Sequence, residues 1–205
     1  MTLEREPLLH PVAIADLRPT QMTVGYREVA RKRREWRERV DRDGPDYLGR
    51  HMIPAVIGPK GRTWIIDNHH LARALHDEGV RHVLIRVVAD LGHLKDRPFK
   101  TFLDNRNWLH PYDADGDRRL SEEIPKHIGK LKDDPYRSLA GELRRAGGYA
   151  KTETPFSEFL WADFLRHRIP GHALERDFDG AVAKALKLAN AEASSYLPGW
   201  AGPHG

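Results

Sequence analysis

The chain has 205 residues and is mildly basic, with 34 Lys and Arg against 30 Asp and Glu and a net charge of +4. It contains no cysteine, which excludes disulfides, thiolate metal sites and cysteine nucleophiles. The basic balance permits an anionic partner, a nucleotide or a nucleic acid, without requiring one. The N-terminal residues lack the apolar core of a secretory signal, and no apolar run approaches the roughly 20 residues that span a bilayer, so we expect a cytoplasmic protein without a membrane partner.

The first part of the chain, residues 8–95, alternates between strand and helix patterns. β-Branched and aromatic runs predict strands, and apolar residues spaced three or four apart predict helices. The predicted strands cover residues 12–17, 53–57, 63–66 and 82–88, and the predicted helices cover residues 27–42 and 71–78. The order strand, helix, strand, strand, helix, strand indicates a small α/β (α+β) domain with a mixed sheet.

The second part, residues 96–195, has helix patterns and no clear strand. One predicted helix begins at Asp134, a good N-cap residue, has Pro135 at its first helical position and ends near Gly147. The other predicted helices cover residues 98–109, 122–131, 154–168 and 177–193. Their apolar faces need cover, so we expect a helical extension packed on the α/β domain, followed by a frayed tail over residues 196–205.

The segment 63–75, TWIIDNHHLARAL, is the first candidate for a functional site. An apolar strand ends in Asp67 and Asn68, two histidines follow, and a helix begins. The first N–H groups of a helix have no internal partner, and the helix dipole adds positive potential at the same end. A strand-to-helix junction of this kind is therefore a candidate phosphate-binding site.

Each polar residue of this segment has a candidate role at such a site. His69 or His70 can donate to a phosphate oxygen or act as an acid or a base near neutral pH. Arg73, one helical turn further, can bind a phosphate from the same side, and Asn68 belongs to the same turn. Asp67 can cap the turn, hold a histidine in one tautomer or help to bind Mg²⁺. In the alternative interpretation, the segment is an ordinary helix cap followed by two solvated histidines.

The loop and helix start over residues 20–32 form the second candidate. Thr20 and Gln21 offer a hydroxyl and an amide to a phosphate or a ribose, and Gly25 permits a close backbone approach. Glu28 is a candidate general base or metal ligand, and Lys32 can neutralise a phosphate. The structural alternative is a simple turn before the helix, with Glu28 and Lys32 paired at i and i+4.

The predicted helix also carries a marked charge bias. Residues 27–39 contain seven bases and three acids, which makes the helix a candidate for contact with DNA or another nucleic acid. Interleaved acids are equally typical of a solvated helix face, and this second interpretation is the one we favour.

Three segments together resemble the ParB/sulfiredoxin superfamily, and within it the ParB-like nuclease group. They are HPVAIADLRP at 10–19, IPAVI at 53–57 and IDNHHLARAL at 66–75. The narrower group also resembles this chain at residues 19–26, 134–140 and 159–164. The resemblance to the superfamily covers residues 10–91, and the later segments extend it over most of the chain.

The resemblance implies that the junction handles the phosphates of a nucleotide or a nucleic acid. Superfamily members include partition proteins that use CTP, a sulfinic acid reductase that uses ATP and free-serine kinases. The absence of cysteine rules out the reductase activity here, and Asn68, His69 and His70 stand where partition proteins have an arginine-rich signature. No helix-turn-helix with a basic recognition helix is evident, which argues against chromosome partitioning.

Three functional hypotheses follow from the sequence. The leading one is phosphoryl chemistry (nucleotide hydrolysis, phosphotransfer or phosphodiester cleavage) on a nucleotide, with Mg²⁺ as the candidate cofactor, or on a phosphodiester, with His69, His70, Asp67 and Glu28 as candidate catalytic residues. The second is a non-catalytic nucleotide- or DNA-binding module. The third is a structural or partner-binding protein, in which Asp67 caps a helix and the histidines have no special role. No feature of the sequence indicates an oligomeric state.

Overall fold

The computed structural model describes residues 9–43 and 52–203, and its first part is built around a four-stranded mixed sheet. The elements of this part are β1 (Leu9–Ala13), β2 (Thr23–Val24), α1 (Tyr26–Asp43), β3 (Ile53–Ile57), β4 (Thr63–Ile65), α2 (His69–Asp77) and β5 (His82–Asp90). The strand order is β1-β5-β3-β4, with β5 and β3 parallel and the other two pairs antiparallel. The predicted α/β (α+β) fold is confirmed.

Helices cover both faces of the sheet, as its alternating apolar side chains require. On one face, Ile53 and Ile65 pack with Leu75 of α2 in a cluster that also includes residues of α1. On the opposite face, Val56 packs with Phe99 of the helix that follows β5. Strand β4 ends at Ile65, and α2 begins four residues later at His69. Because Ile65 and Leu75 share one apolar cluster, the sheet fixes the position of the start of α2.

The second part of the chain is the predicted helical extension. Its elements are α3 (Asp96–Asn105), β6 (Lys132–Asp133), α4 (Pro135–Arg145), α5 (Ser157–Arg166), α6 (Gly171–Arg176) and α7 (Phe178–Ala189). The cap of α4 is the predicted one, because the Asp134 side chain accepts a hydrogen bond from the Tyr136 backbone N–H at 2.9 Å. Helices α4 to α7 share an apolar core around the fully buried Trp161.

Some predicted elements differ from the structure for local reasons. Pro125 interrupts the helix predicted over residues 122–131, which is replaced by two short 3-10 turns. The next two residues form β6, which pairs in parallel with β2, so the extension also contributes a strand. Helix α5 begins two residues after Pro155, behind Phe156 in the left-handed region at φ 59°. The first strand ends at Ala13 because a 3-10 turn takes residues 14–16.

The tail was expected to be frayed from residue 196, but residues 197–200 are packed. Leu197 is buried, and the Trp200 indole N–H donates to the Ala189 carbonyl at 2.9 Å. The Trp161 indole N–H donates to the Pro198 carbonyl at 2.8 Å. Two indole donors and an apolar side chain therefore fix this segment, while residues 204–205 lie outside the described residues. In the part of the chain that the structure describes, no helix is long and apolar enough to cross a membrane.

Candidate functional site

The strand-to-helix junction has the predicted geometry, with the helix beginning at His69 rather than at residue 71. Asn68 occupies the N-cap position in the left-handed conformation, with φ 61°, and its side chain makes no capping hydrogen bond. The Asp67 carboxylate accepts from the Asn68 backbone N–H at 2.7 Å, and both side chains are exposed. The first N–H groups of α2 are thus left without a side-chain cap, which is the arrangement that suits an anion.

Both histidines are oriented by backbone N–H groups of the loop that precedes α1. The Thr20 N–H donates to His69 Nε2 at 3.1 Å, and the Gly25 N–H donates to His70 Nε2 at 2.9 Å. A neutral imidazole that accepts at Nε2 carries its proton on Nδ1. Each ring therefore presents Nδ1–H as its donor. The His69 ring is almost fully buried, and its Nδ1 has no hydrogen-bond partner among the described residues.

Burial and a nearby guanidinium keep both rings neutral. Burial lowers the pKa of His69 and of His70 well below the usual value, and the positive charge of Arg137 lowers both further. A neutral ring whose Nε2 is already occupied is suited to donating a hydrogen bond through Nδ1. It is poorly suited to the acid–base exchange near neutral pH that the sequence left open. Of the two, His70 is the more accessible from the cleft, with 13% of its side chain exposed.

Thr20 and Gly25 support the histidines instead of facing a ligand. The Thr20 hydroxyl donates to the Ile65 carbonyl at 2.9 Å, and the residue is fully buried. A Cβ on Gly25 would lie 2.6 Å from the Ser138 hydroxyl and 2.7 Å from its backbone nitrogen. Gly25 is therefore needed for the close approach of α4, a role different from the predicted ligand contact.

Glu28 is buried and paired with two arginines. It binds Arg31 through a charged hydrogen bond, and Arg145 Nη1 lies 2.6 Å from its Oε2. Burial alone would raise the pKa of Glu28, but the hydrogen bonds and charges of Arg31 and Arg145 hold it at about 2. Glu28 is thus a weak proton acceptor. The alternative pairing with Lys32 is not formed, since Lys32 Nζ lies 3.7 Å from Glu35.

Arg73 points away from the histidines. Its Nε donates to Asp77 at 2.9 Å, and its Nη1 donates to the Leu131 carbonyl at 2.6 Å. The guanidinium also lies 5.0 Å from the centre of the Tyr26 ring. The predicted phosphate contact by Arg73 does not fit this direction. Arg73 lies one helical turn beyond the histidines, but its side chain points toward the 3-10 turn before β6.

Arg137, on α4, is the central cation of the site and was not among the candidate site residues named from the sequence. It is 4% exposed, and its Nη1 donates to Gln21 Oε1 at 3.2 Å. Its Nη2 lies 3.1 Å from Glu158, and its guanidinium lies 3.9 Å from the centre of the Phe159 ring. Gln21, predicted as a ligand for phosphate or ribose, thus also holds Arg137. The pointers in the sequence were the strong helix start at Asp134, three residues before Arg137, and the resemblance of residues 134–140 to the ParB-like nuclease group.

The α/β domain and the extension together enclose a cleft of about 910 Å³ around the two histidines. Gln21, Lys32, Asp67 and Asn68, all named as candidates from the sequence, are among the residues that line it. Its charged lining is mainly basic, with seven cations against four carboxylates. The cations are Arg31, Lys32, Arg86, Arg106, Arg137, Arg144 and Lys151, and the carboxylates are Glu28, Asp67, Glu153 and Glu158. Such an excess favours an anionic ligand.

A preformed metal site is not found among the described residues, which contain no group of three or more potential His, Cys, Asp or Glu ligands. Asp67 is a single exposed carboxylate at the junction. Mg²⁺ is often held by one or two carboxylates together with substrate phosphates and waters. Asp67 therefore fits a Mg²⁺ ion that arrives with a phosphate ligand, and not one bound by the protein alone.

Comparisons with known proteins agree with this architecture. A family model described as "Putative ParB-like nuclease" matches residues 10–167. The chain belongs to the ParB-like nuclease family. The family match includes all of α4 and α5, so both walls of the cleft lie within it.

A solved structure is similar over nearly the whole length. The crystal structure of protein Atu1540 from Agrobacterium tumefaciens shares 53% sequence identity with this chain, with a TM-score of 0.91. The match covers 97% of this chain and 99% of that one. The family member described here and Atu1540 therefore share the helical extension as well as the α/β domain. The search of curated proteins found no match.

Proposed function

We propose that the cleft binds the phosphate groups of a nucleotide, free or within a nucleic acid, and that phosphoryl chemistry takes place on them. One observation carries the proposal. His69 and His70 lie side by side on the first turn of α2, with both Nε2 atoms occupied by backbone N–H groups, so that Nδ1–H is the remaining donor of each ring.

Phosphate binding at this place would use three kinds of positive potential. The uncapped N–H groups and the dipole of α2 provide the first. The neutral Nδ1–H of His70 provides the second, with His69 behind it, and needs no protonation to act at neutral pH. The excess of seven cations over four carboxylates in the lining provides the third, and guanidinium groups bind phosphate oxygens in a two-pronged geometry.

Phosphoryl transfer depends mainly on positioning and on stabilising charge, which this arrangement favours. In our proposal His69 and His70 position the phosphate, and Asp67 orients a water or a Mg²⁺ ion that the nucleotide brings. A carboxylate with a pKa of about 2 is a poor base, so in our proposal Glu28 is not the general base. It instead anchors Arg31, which lines the cleft, and Arg145.

A second candidate function is a non-catalytic binding module, such as a nucleotide-dependent switch or a DNA clamp. The observation in its favour is that the pKa values of both histidines and of Glu28 are lowered, and so lie further from pH 7 than usual. None of these three groups is therefore suited to proton transfer near neutral pH. The two candidates differ in one property: the module binds nucleotide and releases it unchanged.

The proposal is tested by comparing two histidine variants on the same helix. In His70→Gln, the side-chain oxygen can still accept from Gly25, but the ring Nδ1–H is replaced by an amide N–H at a different position. In His76→Gln, an exposed histidine outside the cleft is changed. Thermal unfolding is measured with ATP, ADP, CTP, GTP, and single- and double-stranded DNA, each with and without Mg²⁺.

We expect at least one ligand to raise the melting temperature of the wild type and of His76→Gln, and not of His70→Gln. A ligand at 100 times its Kd adds about 2.7 kcal/mol of stability, enough to detect. Release of phosphate or cleavage of DNA in the same samples separates the enzyme from the module. If no ligand shifts the wild type, or if His70→Gln binds as the wild type does, the phosphate site is not at this junction.

A further inference from the structure

A second cavity, of about 440 Å³, lies beside the phosphate cleft and is lined entirely by residues of the extension. Its volume falls within the range of small-molecule sites, about 300–1,000 Å³. Aromatic rings make up much of its wall: His110, Tyr112, Phe156 and Phe159. His110 lies between the others, with ring centres 4.4 Å from Tyr112 and 3.7 Å from Phe159.

The cavity and the cleft meet at the N-terminal end of α5. Four residues line both of them: Asn107, Pro155, Phe156 and Phe159. The guanidinium of Arg137, which lines the cleft, lies against the ring of Phe159, which lines both spaces. The charge of Arg137 lowers the pKa of His110 as well as those of the two junction histidines, so a single guanidinium lies near all three rings.

The polar groups of the cavity differ from those of the cleft. Asp104 and Asp163 are about half exposed, and each uses one oxygen for an arginine, Arg118 at 2.7 Å and Arg166 at 3.1 Å. Their second oxygens make no hydrogen bond with the described residues and remain available as acceptors. Arg166 Nε is buried without a hydrogen-bond partner among the described residues. Because the charges are already paired, the cavity offers little to a free ion.

We propose that this cavity binds the nucleobase of the nucleotide whose phosphates lie in the cleft, an inference that rests on the function proposed above. A planar heterocycle suits the wall, because aromatic side chains are the common stacking partners of bases in proteins. Carboxylate oxygens and guanidinium N–H groups at the rim match the donors and acceptors on the edge of a base. A phosphate in the cleft and a base in the cavity would be joined across the shared wall at Phe156 and Phe159.

The test separates the base from the phosphates by using ligands that lack a base. Affinities are measured by titration calorimetry for ATP, CTP and GTP against inorganic tripolyphosphate. For nucleic acid, a single-stranded oligonucleotide is compared with an abasic strand of the same length.

The variants are Leu160→Trp, which fills the cavity, and Tyr112→Ala, which removes a ring. Both residues line the cavity and not the cleft. Leu120→Trp, at a leucine that is 69% exposed and outside both spaces, is the matched control.

We expect the wild type and Leu120→Trp to bind a nucleotide, or the natural strand, about tenfold more tightly than its base-free counterpart. Leu160→Trp and Tyr112→Ala should remove most of this advantage and leave tripolyphosphate binding unchanged. Equal affinities for base-containing and base-free ligands in the wild type would overturn the nucleobase site alone. So would an advantage that both variants retain. Absence of binding by every ligand, tripolyphosphate included, would overturn the phosphate cleft and with it this inference.

Discussion

The cleft around His69 and His70 and the aromatic cavity of the extension lie side by side, yet they are built differently. The cleft lies between the α/β domain and the extension, is lined mainly by cations and contains two neutral histidines. The cavity lies within the extension and combines aromatic rings with carboxylates that are already paired with arginines. Only the cleft therefore depends on how the two parts of the chain dock. Under our proposals, the two spaces hold different parts of one ligand.

Loss of Arg137 should have the largest effect, because this buried cation of the cleft also lies against Phe159, the ring that lines both spaces. Arg137→Gln would leave Glu158 and Gln21 without their buried partner, and breaking a buried ion pair costs about 3 kcal/mol or more. We expect a large decrease in the free energy of unfolding, measured by urea denaturation. Arg144→Gln, at a less buried cation of the same cleft, should cost less than about 1 kcal/mol. Equal losses in the two variants would contradict the central position given to Arg137.

A substitution at Gly25 should disturb the cleft and spare the cavity. In Gly25→Ala the new methyl group would overlap Ser138 of α4, and overpacking of this kind costs about 1–3 kcal/mol. We expect lower stability and weaker tripolyphosphate binding, because the Gly25 N–H also orients His70. Gly141→Ala is the control, since its Cβ would have ordinary contacts at 3.6 Å and alanine favours a helix. A stable Gly25→Ala with normal binding would show that α4 can move away without consequence.

The pH dependence of stability should show whether His69 and His70 are neutral in the folded protein. Their pKa values are lowered in the folded protein, so the unfolded chain binds more protons as the pH falls below the usual histidine value of 6.5. The stabilisation is complete above that pH and decreases below it, by at most about 1 kcal/mol per histidine between pH 6.5 and 5.5. Glu28 does not contribute in this window, because its stabilisation is lost only below the usual glutamate pKa of 4.5.

The measurement is denaturant unfolding of the wild type and of His70→Gln at several pH values. We expect a smaller slope in the variant, since one buried histidine is missing. Tripolyphosphate binding by the wild type should stay nearly constant from pH 7 to 8.5, because the donors are already neutral. Binding that disappears over this range would point to charged histidines and would contradict the proposed donor role.

The sequence predicted the α/β order and the strand-to-helix junction because these features are local. The apolar run of β3 and the Asp134 cap depend on neighbouring residues, and both were found where predicted. The two-residue strands β2 and β6 were missed, since each exists only through the other, about 110 residues away. The helix predicted over residues 122–131 does not form, because Pro125 interrupts it. This cause is local and can be seen in the sequence.

The candidate site was predictable in its position and not in its roles. His69 and His70 were named from the junction, but their tautomer depends on N–H groups of Thr20 and Gly25, nearly 50 residues earlier in the chain. Helical spacing placed Arg73 near the histidines without revealing that the Leu131 carbonyl would hold it elsewhere. The cation that does reach this region comes from α4, and no short-range pattern connects it with the junction.

The parallel pairing of β2 with β6 has a consequence for the order of events during synthesis. The residues that orient the two histidines, Thr20 and Gly25, lie on either side of β2, while β6 and α4 are made more than 100 residues later. Contacts this distant in sequence form late, because a long loop must first be closed. When only residues 8–95 have been synthesised, every residue of the junction is present. Helix α4, against which Gly25 packs, has not yet been made. We expect a chain truncated after residue 95 to contain the junction but not a complete cleft. Ligand binding would therefore require the extension.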